Sequence, residues 1–363
     1  MSAASEQPRL LFVYLKPNAF VEEDWRLLQE HYDVRPFHFD ADEATSALGL
    51  ARLWTQQLWW LFRELPRADL VYGWFADYHV ALPVLLAPWF DVPTAVVLGG
   101  MDCNWLPELD YGVWESRWRA PLVRWACRRA SLLLPVSEAL LYHENAYAFP
   151  PRVLENGIRA HVPGLDTPHR VVPTGYDPEA WPLGPTDRPA VVSTVARIDD
   201  ERRLRVKGID VLIAVARRLP DITFRVVGVT ADMAPQIRSA VAPPENVRLE
   251  PPRGRSQLVD VYHETSVYAQ LSRTEGLPNV VAEAMCCGCV PLGSDVSGMA
   301  ELVEGVGRLV SHPDPDAIAE ALRTLLAEIT PERRRAARRR VVDHFSKAHR
   351  RQGLLGVLDS LQS

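Results

Sequence analysis

Short apolar runs alternate with amphipathic stretches along this chain, and the rhythm breaks once, at residues 173–190. Before the break, residues 10–14 (LLFVY), 69–72, 94–98 (TAVVL), 131–136 and 169–172 read as buried strands, with an amphipathic segment at 45–64. After it, strand patterns fall at 190–196, 223–227, 247–249, 267–270 and 290–293, with helical ones at 208–219 and 257–264. Strands that alternate with helices form parallel sheets covered on both faces. The break itself, PTGYDPEAWPLGPTDRPA, is crowded with Pro and Gly and has no period, as an interdomain linker does. The expected fold class is α/β: a first Rossmann-like domain over 1–172, a linker over 173–189, and a second domain over 190–345. A terminal helix over 346–363 packs back toward the first domain. Ligands in such sheets sit at the carboxyl ends of strands, so two facing doubly wound halves make a cleft.

Composition narrows the function. The 363 residues suit two domains. A net charge of −6 excludes the strongly basic profile of a nucleic-acid binder. Five cysteines, an odd number, do not read as a disulfide framework and fit a reducing cytoplasm. The polar start MSAASEQPR lacks the apolar core of a secretion signal, and the best apolar run, 81–90, is short and broken by Pro83 and Pro88. The expectation is a cytoplasmic protein that rests at most on the surface of a membrane.

Residues 272–288, SRTEGLPNVVAEAMCCG, are the most informative. A strand ends just before them, a loop with Gly276 and Pro278 follows, and a helix starts near Asn279 and stops at Gly288. A helix N-terminus presents unpaired N–H groups and a positive dipole end, which suits a phosphate. Gly276 lets a ligand approach the backbone. Glu275 in the loop and Glu283 one turn into the helix are placed to accept hydrogen bonds from sugar hydroxyls. Two solvated surface glutamates are the plainer reading of the pair alone.

The whole string resembles the E-x7-E segment of family 4 retaining glycosyltransferases, S-x-x-E-G-x-P-N-x-x-x-E-A-M-x-x-G. Residues 294–303 (SDVSGMAELV), 307–325 and 171–177 (VVPTGYD) are similar to that family too. The resemblance implies a GT-B fold and a nucleoside-diphosphate sugar as donor. It places Glu283 on the ribose, Glu275 at the donor sugar, and the loop amides of Gly276, Leu277, Pro278, Asn279 and Val280 around sugar hydroxyls and diphosphate. It assigns the diphosphate to Arg197 and Lys207. Two cations there neutralise the leaving group, so neither a divalent metal nor another cofactor is required. The charged stretch IDDERRLRV between them departs from the pattern. Arg203 or Arg205 in it substitutes for Lys207, or the stretch is a solvated loop paired with Asp199, Asp200 and Glu201. The nucleobase region falls on Gly228, Pro252 and Arg253.

The first half, expected to bind the acceptor, departs further. Lys16 and Asn18 follow the first strand where the family often has a glycine-rich loop, and Lys16 suits an anionic group on the acceptor. Where the family often has a histidine, this chain has Gly99-Gly100-Met101-Asp102. Asp102 or His79 is then the expected partner of the donor sugar, against a core role for a lone histidine. Ser137 matches a family position near the cleft and also suits a helix N-cap. Residues 114–129 hold five arginines, three tryptophans and one glutamate. Such a stretch suits an anionic lipid surface, and so a lipid-linked or lipopolysaccharide acceptor. An ordinary helix with tryptophans inward reads equally well. The cysteines at 286, 287 and 289 read as tight packing at a helix end rather than metal ligands. The expected activity is transfer of a sugar to a hydroxyl of a glycan or lipid-linked acceptor. A sugar phosphorylase, another nucleotide-sugar enzyme of this fold and a non-catalytic partner subunit are the alternatives. A nicotinamide oxidoreductase lacks its G-x-G-x-x-G here.

Overall fold

The computed structural model describes residues 7–40, 42 and 46–362. Its first half alternates β1 (Arg9–Tyr14), α1 (Ala19–Gln29), β2 (Asp33–His38), α2 (Ala47–Glu64), β3 (Leu70–Trp74), α3 (Ala81–Leu86), β4 (Thr94–Leu98), α4 (Arg119–Arg129) and β5 (Leu132–Pro135). The five strands are parallel, in the order β2-β1-β3-β4-β5. An antiparallel hairpin, β6 (His143–Phe149) and β7 (Arg152–Asn156), and one turn, α5 (Ile158–His161), follow. Strands β3, β4 and β5 are buried at every position because helices cover both faces of the sheet, which explains their unbroken apolar runs.

The second half contains β8 (Val191–Ile198), α6 (Glu201–Val206), α7 (Ile209–Ala216), β9 (Thr223–Val229), α8 (Met233–Val241), β10 (Val247–Glu250), α9 (Arg255–Glu264) and β11 (Val267–Gln270). Then come α10 (Asn279–Cys286), β12 (Val290–Ser294), α11 (Met299–Val303), β13 (Arg308–Val310), α12 (Pro315–Ala327), α13 (Pro331–His344) and α14 (Lys347–Gln362). Its parallel sheet runs β10-β9-β8-β11-β12-β13, the doubly wound order in which the chain reverses direction between the first and fourth strands.

The two reversal points position everything that follows. In the first sheet the order reverses between β1 and β3, in the second between β8 and β11. Carboxyl ends of strands splay apart there, leaving a crevice. The loops after β1 and β3 on one side, and after β8 and β11 on the other, meet across the space between the halves.

Residues 173–189 carry the chain between the sheets without regular structure. From the far end α14 returns to the first sheet. Its buried Arg350 forms an ion pair with Asp24 of α1, and Asp24 also accepts from Tyr72 Oη at 2.6 Å and Trp74 Nε1 at 2.7 Å. Arg350 Nη1 donates to the carbonyls of Val172 and Pro173, so the start of the linker is pinned by the same guanidinium.

Three local expectations change. Residues 169–172 form only an isolated bridge, His169 to Leu133, with one further N–H group, of Val172, donated to β5 before Pro173 ends the pairing. Strand β2 carries Pro36 and mostly part-exposed residues, an edge strand with no apolar run to announce it. The IDDERRLRV stretch is not a solvated loop. Asp200 caps α6 by accepting from the Arg203 N–H at 2.6 Å, and Leu204 and Val206 are buried.

Candidate functional site in the interdomain cleft

The loop after β11 is held from both halves. Arg273 pairs with Asp210 at 2.7 Å and turns the loop toward the start of α7. Glu275 follows, buried, and its Oε1 accepts from Lys207 Nζ and from Gln270 Nε2, each at 2.7 Å. Its backbone carbonyl accepts from Asn104 Nδ2 of the first half at 2.8 Å. Asn145 Nδ2 does the same to the Arg273 carbonyl at 2.8 Å. Neither asparagine was foreseen. No motif or period along the chain marks either one.

Gly276 is required for a different reason from the one its sequence suggested. A Cβ there would lie 2.0 Å from the Gly99 carbonyl oxygen, so the two halves touch backbone to backbone. Gly100, at φ 134°, completes the contact. On the other side the Gly276 carbonyl accepts from the Gly298 N–H at 3.0 Å. Leu277 is buried and Pro278 precedes α10, which no side chain caps. The first amides of α10, at Asn279 and Val280, therefore point out of the helix end toward an anion. At its other end, carbonyls of Cys286, Cys287 and Gly288 accept from Arg338, Arg188 and Arg334. Cationic donors satisfy the helix C-terminus there, and Gly288, at φ 83°, provides the left-handed exit. The three thiols beside it are buried, and among the described residues no group of His, Cys, Asp or Glu is arranged to hold a metal.

Glu283 sits one turn into α10 in a tight pocket with Phe20, Glu23, Tyr176, Trp181 and Arg255. Its carboxylate accepts from Tyr262 Oη at 3.4 Å, and burial pushes its pKa up to about 8. Asn279 Oδ1 accepts from Tyr176 Oη at 2.8 Å, which ties the helix to the linker. Gly228, Pro252 and Arg253 lie outside this pocket. Gly228 is there for packing, since a Cβ would meet the Ala196 carbonyl oxygen at 2.2 Å. Arg253 pairs with Glu250 at 3.6 Å.

Arg197 leaves the end of β8 with an exposed side chain bonded to Asp199, and Arg203 pairs with the same carboxylate. Lys207 is the cation that reaches Glu275; Arg205 contributes only a backbone carbonyl, to Arg273.

The opposite wall is a cavity of about 470 Å³ at the first sheet's reversal point. Lys16 and Asn18 come from the loop after β1, Phe75, Asp77 and Tyr78 from the loop after β3, and Met101 and Asp102 from the loop after β4. Arg203 faces them from the second half. Lys16 and Asn18 are exposed at its edge, and no cap bond holds the Asn18 side chain.

Asp102 and His79 are not placed as the sequence suggested. Asp102 is buried with its carboxylate turned into its own loops. It accepts N–H groups from Ala76 and Gly99 at 3.0 Å and from Gly100 at 2.8 Å. It therefore holds the loops after β3 and β4 together rather than offering an oxygen to a sugar. Burial raises its pKa to about 6, against the pull of those N–H groups. His79 is wholly buried; its Nε2 bonds the Trp74 carbonyl at 2.9 Å, and burial lowers its pKa to about 4. It is a neutral core histidine, absent from the residues that line the cavity. Ser137 is likewise buried. It caps its own short turn and donates to Glu301 Oε1 of the second half at 2.7 Å, so it joins the halves instead of meeting an acceptor.

Residues 114–129, a turn followed by α4, engage their own domain through three of their five arginines, while Arg117 and Arg129 stay exposed. Trp114 lies 4.7 Å from the His161 ring, Arg124 and Arg128 donate to the carbonyls of His161 and Pro163, and Arg119 pairs with Asp77.

Two facing doubly wound domains with a site in the cleft between them define the GT-B class. Sucrose-phosphate synthase of Thermosynechococcus elongatus superposes with a TM-score of 0.75 over 98% of this chain and 99% of its own, at 16% identity. Anabaena HepE in complex with UDP superposes with a TM-score of 0.70 over 97% of this chain and 100% of its own, at 18% identity. Residues 189–328 match the family Glycosyl transferases group 1. D-inositol 3-phosphate glycosyltransferase of Nocardiopsis dassonvillei is 30% identical over 194 residues, 47% of this chain and 45% of the relative. Alpha-maltose-1-phosphate synthase of Mycobacterium tuberculosis is 29% identical over 244 residues, 59% of this chain and 62% of that protein. The chain thus matches less than two thirds of the length of either relative.

Proposed function

We propose that this protein transfers a sugar from a nucleoside-diphosphate sugar to a hydroxyl acceptor, with retention at the anomeric carbon. One observation carries the reading: Glu275, Lys207 and the uncapped end of α10 converge at the second sheet's reversal point, across from the cavity at the first. Donor and acceptor groups placed on facing walls gain the proximity that makes transfer effectively unimolecular.

In this scheme the ribose hydroxyls donate to Glu283, and the diphosphate lies at the α10 amides and on Lys207, with Arg197 closing from β8. The bond from the anomeric carbon to the phosphate oxygen breaks, and a bond to the acceptor oxygen forms on the same face. The acceptor proton passes to the leaving phosphate oxygen. Lys207 moves from Glu275 to the diphosphate, and Glu275 then supports the positive charge that develops on the sugar. A covalent route would need a carboxylate nucleophile on the acceptor wall. The two there are otherwise engaged, Asp77 with Arg119 and Asp102 with backbone amides, which favours direct displacement. No resident cofactor takes part in the scheme. The acceptor is a glycan or lipid-linked hydroxyl compound, and Lys16 and Asn18 meet its polar groups.

The test is a melting-temperature screen with UDP-, GDP-, ADP- and CDP-sugars, since a ligand of the native state raises the melting temperature. One base class should stabilise the wild type and lose its effect in Glu283→Gln. No shift with any of them contradicts the proposal.

A further inference from the structure

Phe75, the first residue after β3, stands in a backbone conformation that its side chain disfavours. Its φ is 69°, in the left-handed region, where a bulky aromatic residue is an outlier. Such strain persists only where the surroundings over-determine it. Here they hold it from three directions. The Phe75 N–H donates to the Val97 carbonyl of β4 at 3.0 Å. The next N–H, of Ala76, donates to the buried Asp102 carboxylate at 3.0 Å. The third hold is Gly99, where a Cβ would lie 2.3 Å from Cε1 of the Phe75 ring, so the ring edge fills the space of a side chain. The inward turn of Asp102 thus clamps a strained loop.

These holds carry the ring to the edge of the reaction site. Phe75 stays partly exposed and lines the cavity at the first sheet's reversal point. Its aromatic neighbours, Phe20 at 5.9 Å and Trp74 at 5.3 Å, are inclined to it by 80° and 63°, so neither stacks flat on it. Gly99, against the ring edge, touches Gly276 with its carbonyl oxygen. The ring is therefore one backbone away from the loop that holds Glu275.

The rest of the wall says what the ring meets. Lys16, Asn18, Asp77 and Arg203 line the same cavity, which at about 470 Å³ has the size of a small-molecule site. A lipid chain would desolvate those charges, and a bare anion gains nothing from an aromatic ring. A pyranose suits both features. Its C–H groups pack on the electron-rich face of the ring, and its hydroxyls reach donors and acceptors around it.

We propose that Phe75 is the platform of the acceptor site, and that the accepting unit is a pyranose stacked on it with one hydroxyl turned toward the donor. The inference rests on the sugar transfer proposed above and narrows its acceptor from any hydroxyl compound to one that ends in a sugar ring. Phe75 sets the tilt of that ring, and with it the approach of the attacking oxygen.

The experiment compares wild type, Phe75→Leu and Phe75→Tyr, each alone and with the nucleoside diphosphate that raises the melting temperature. Saturation is transferred by NMR from the protein's aromatic protons to methyl β-glucoside, methyl β-galactoside and methyl α-mannoside. Glycerol serves as a hydroxyl compound without a ring. In wild type, protons on one face of at least one glycoside should saturate, and those of glycerol should not. Phe75→Leu should weaken binding of that glycoside at least about fivefold, while Phe75→Tyr, which keeps the ring, stays within about twofold. An equal melting shift with nucleotide in all three shows that each is folded and keeps its donor wall. No glycoside signal in wild type, an equal signal from glycerol, or equal glycoside affinity in Phe75→Leu and wild type overturns the proposal. So does Phe75→Tyr that loses as much as Phe75→Leu. A wild type whose melting no nucleotide shifts contradicts sugar transfer itself, and the glycoside result is then read in the protein alone.

Discussion

Lys207→Met separates what the cleft does for stability from what it does for chemistry. In the ligand-free protein the substitution leaves the Glu275 carboxylate with Gln270 Nε2 as its remaining side-chain donor. A hydrogen bond to a charged group contributes about 1.5–3 kcal/mol. The Lys207 side chain is 32% exposed, so solvent screening reduces this to roughly 1–2 kcal/mol. For a domain of this size that lowers the melting temperature by roughly 2–8 °C. The chemical step should lose far more. Removing one preorganised partner of a developing charge costs about 10²–10³ in kcat. The assay is release of nucleoside diphosphate at saturating donor and acceptor, paired with calorimetric melting of the same preparations. A double-mutant cycle with Glu275→Gln sharpens it. Coupling of about 1 kcal/mol in the empty protein should vanish once nucleotide is bound, because Lys207 has then changed partner. A turnover loss below about tenfold, or coupling that survives nucleotide binding, refutes the exchange of partners.

Three further outcomes follow from the same geometry. Burial holds a proton on Glu283 up to about pH 8, whereas ribose hydroxyls bond to the ionised carboxylate. Nucleotide binding near neutral pH should release a proton, read by calorimetry in buffers of different ionisation enthalpy, and Glu283→Gln should release none. The same raised pKa means that the folded state holds a proton the unfolded chain has lost, so this residue's contribution to stability falls as pH rises from about 4.5 to about 8. In Gly276→Ala the new methyl would stand against the Gly99 carbonyl oxygen, a backbone atom that cannot swing aside. The halves should then sit further apart, with a larger radius of gyration in solution scattering and turnover reduced at least about tenfold; an unchanged radius and rate would contradict the contact. His79→Ala should destabilise by about 2–4 kcal/mol, from the lost Trp74 carbonyl bond and the space left behind, with kcat per folded molecule unchanged. A catalytic role would show the reverse.

The sequence was legible where one local string does several jobs at once. In residues 272–288 the glycine, the proline and the paired glutamates all belong to one strand–loop–helix unit. Its neighbours in the sheet are fixed by the alternation of elements on either side. The first half was harder because its important residues act through tertiary contact. Asp102 lies in the right loop, but three amide hydrogens turn its carboxylate inward, and no pattern along the chain announces that. Gly276 reads as room for a ligand. Its purpose emerges only when its backbone is laid against the Gly99 carbonyl of the other half. Three of the five arginines of 114–129 find carbonyl or carboxylate partners distant in sequence, which no local pattern shows, while Arg117 and Arg129 stay exposed. Strand β2 stayed hidden because an edge position tolerates Pro36 and polar residues that an interior strand would exclude.

The central claim is that the cleft transfers a sugar from a nucleotide, with Glu275 acting on the sugar and not on the nucleotide. It is tested most directly by incubating wild type and Glu275→Gln with the nucleotide sugar that raises the melting temperature. Nucleoside diphosphate release and nucleotide affinity are measured side by side. Turnover in the variant should fall by orders of magnitude, while nucleotide affinity stays within a few-fold of wild type. Full turnover in Glu275→Gln, or loss of affinity in step with turnover, contradicts the account.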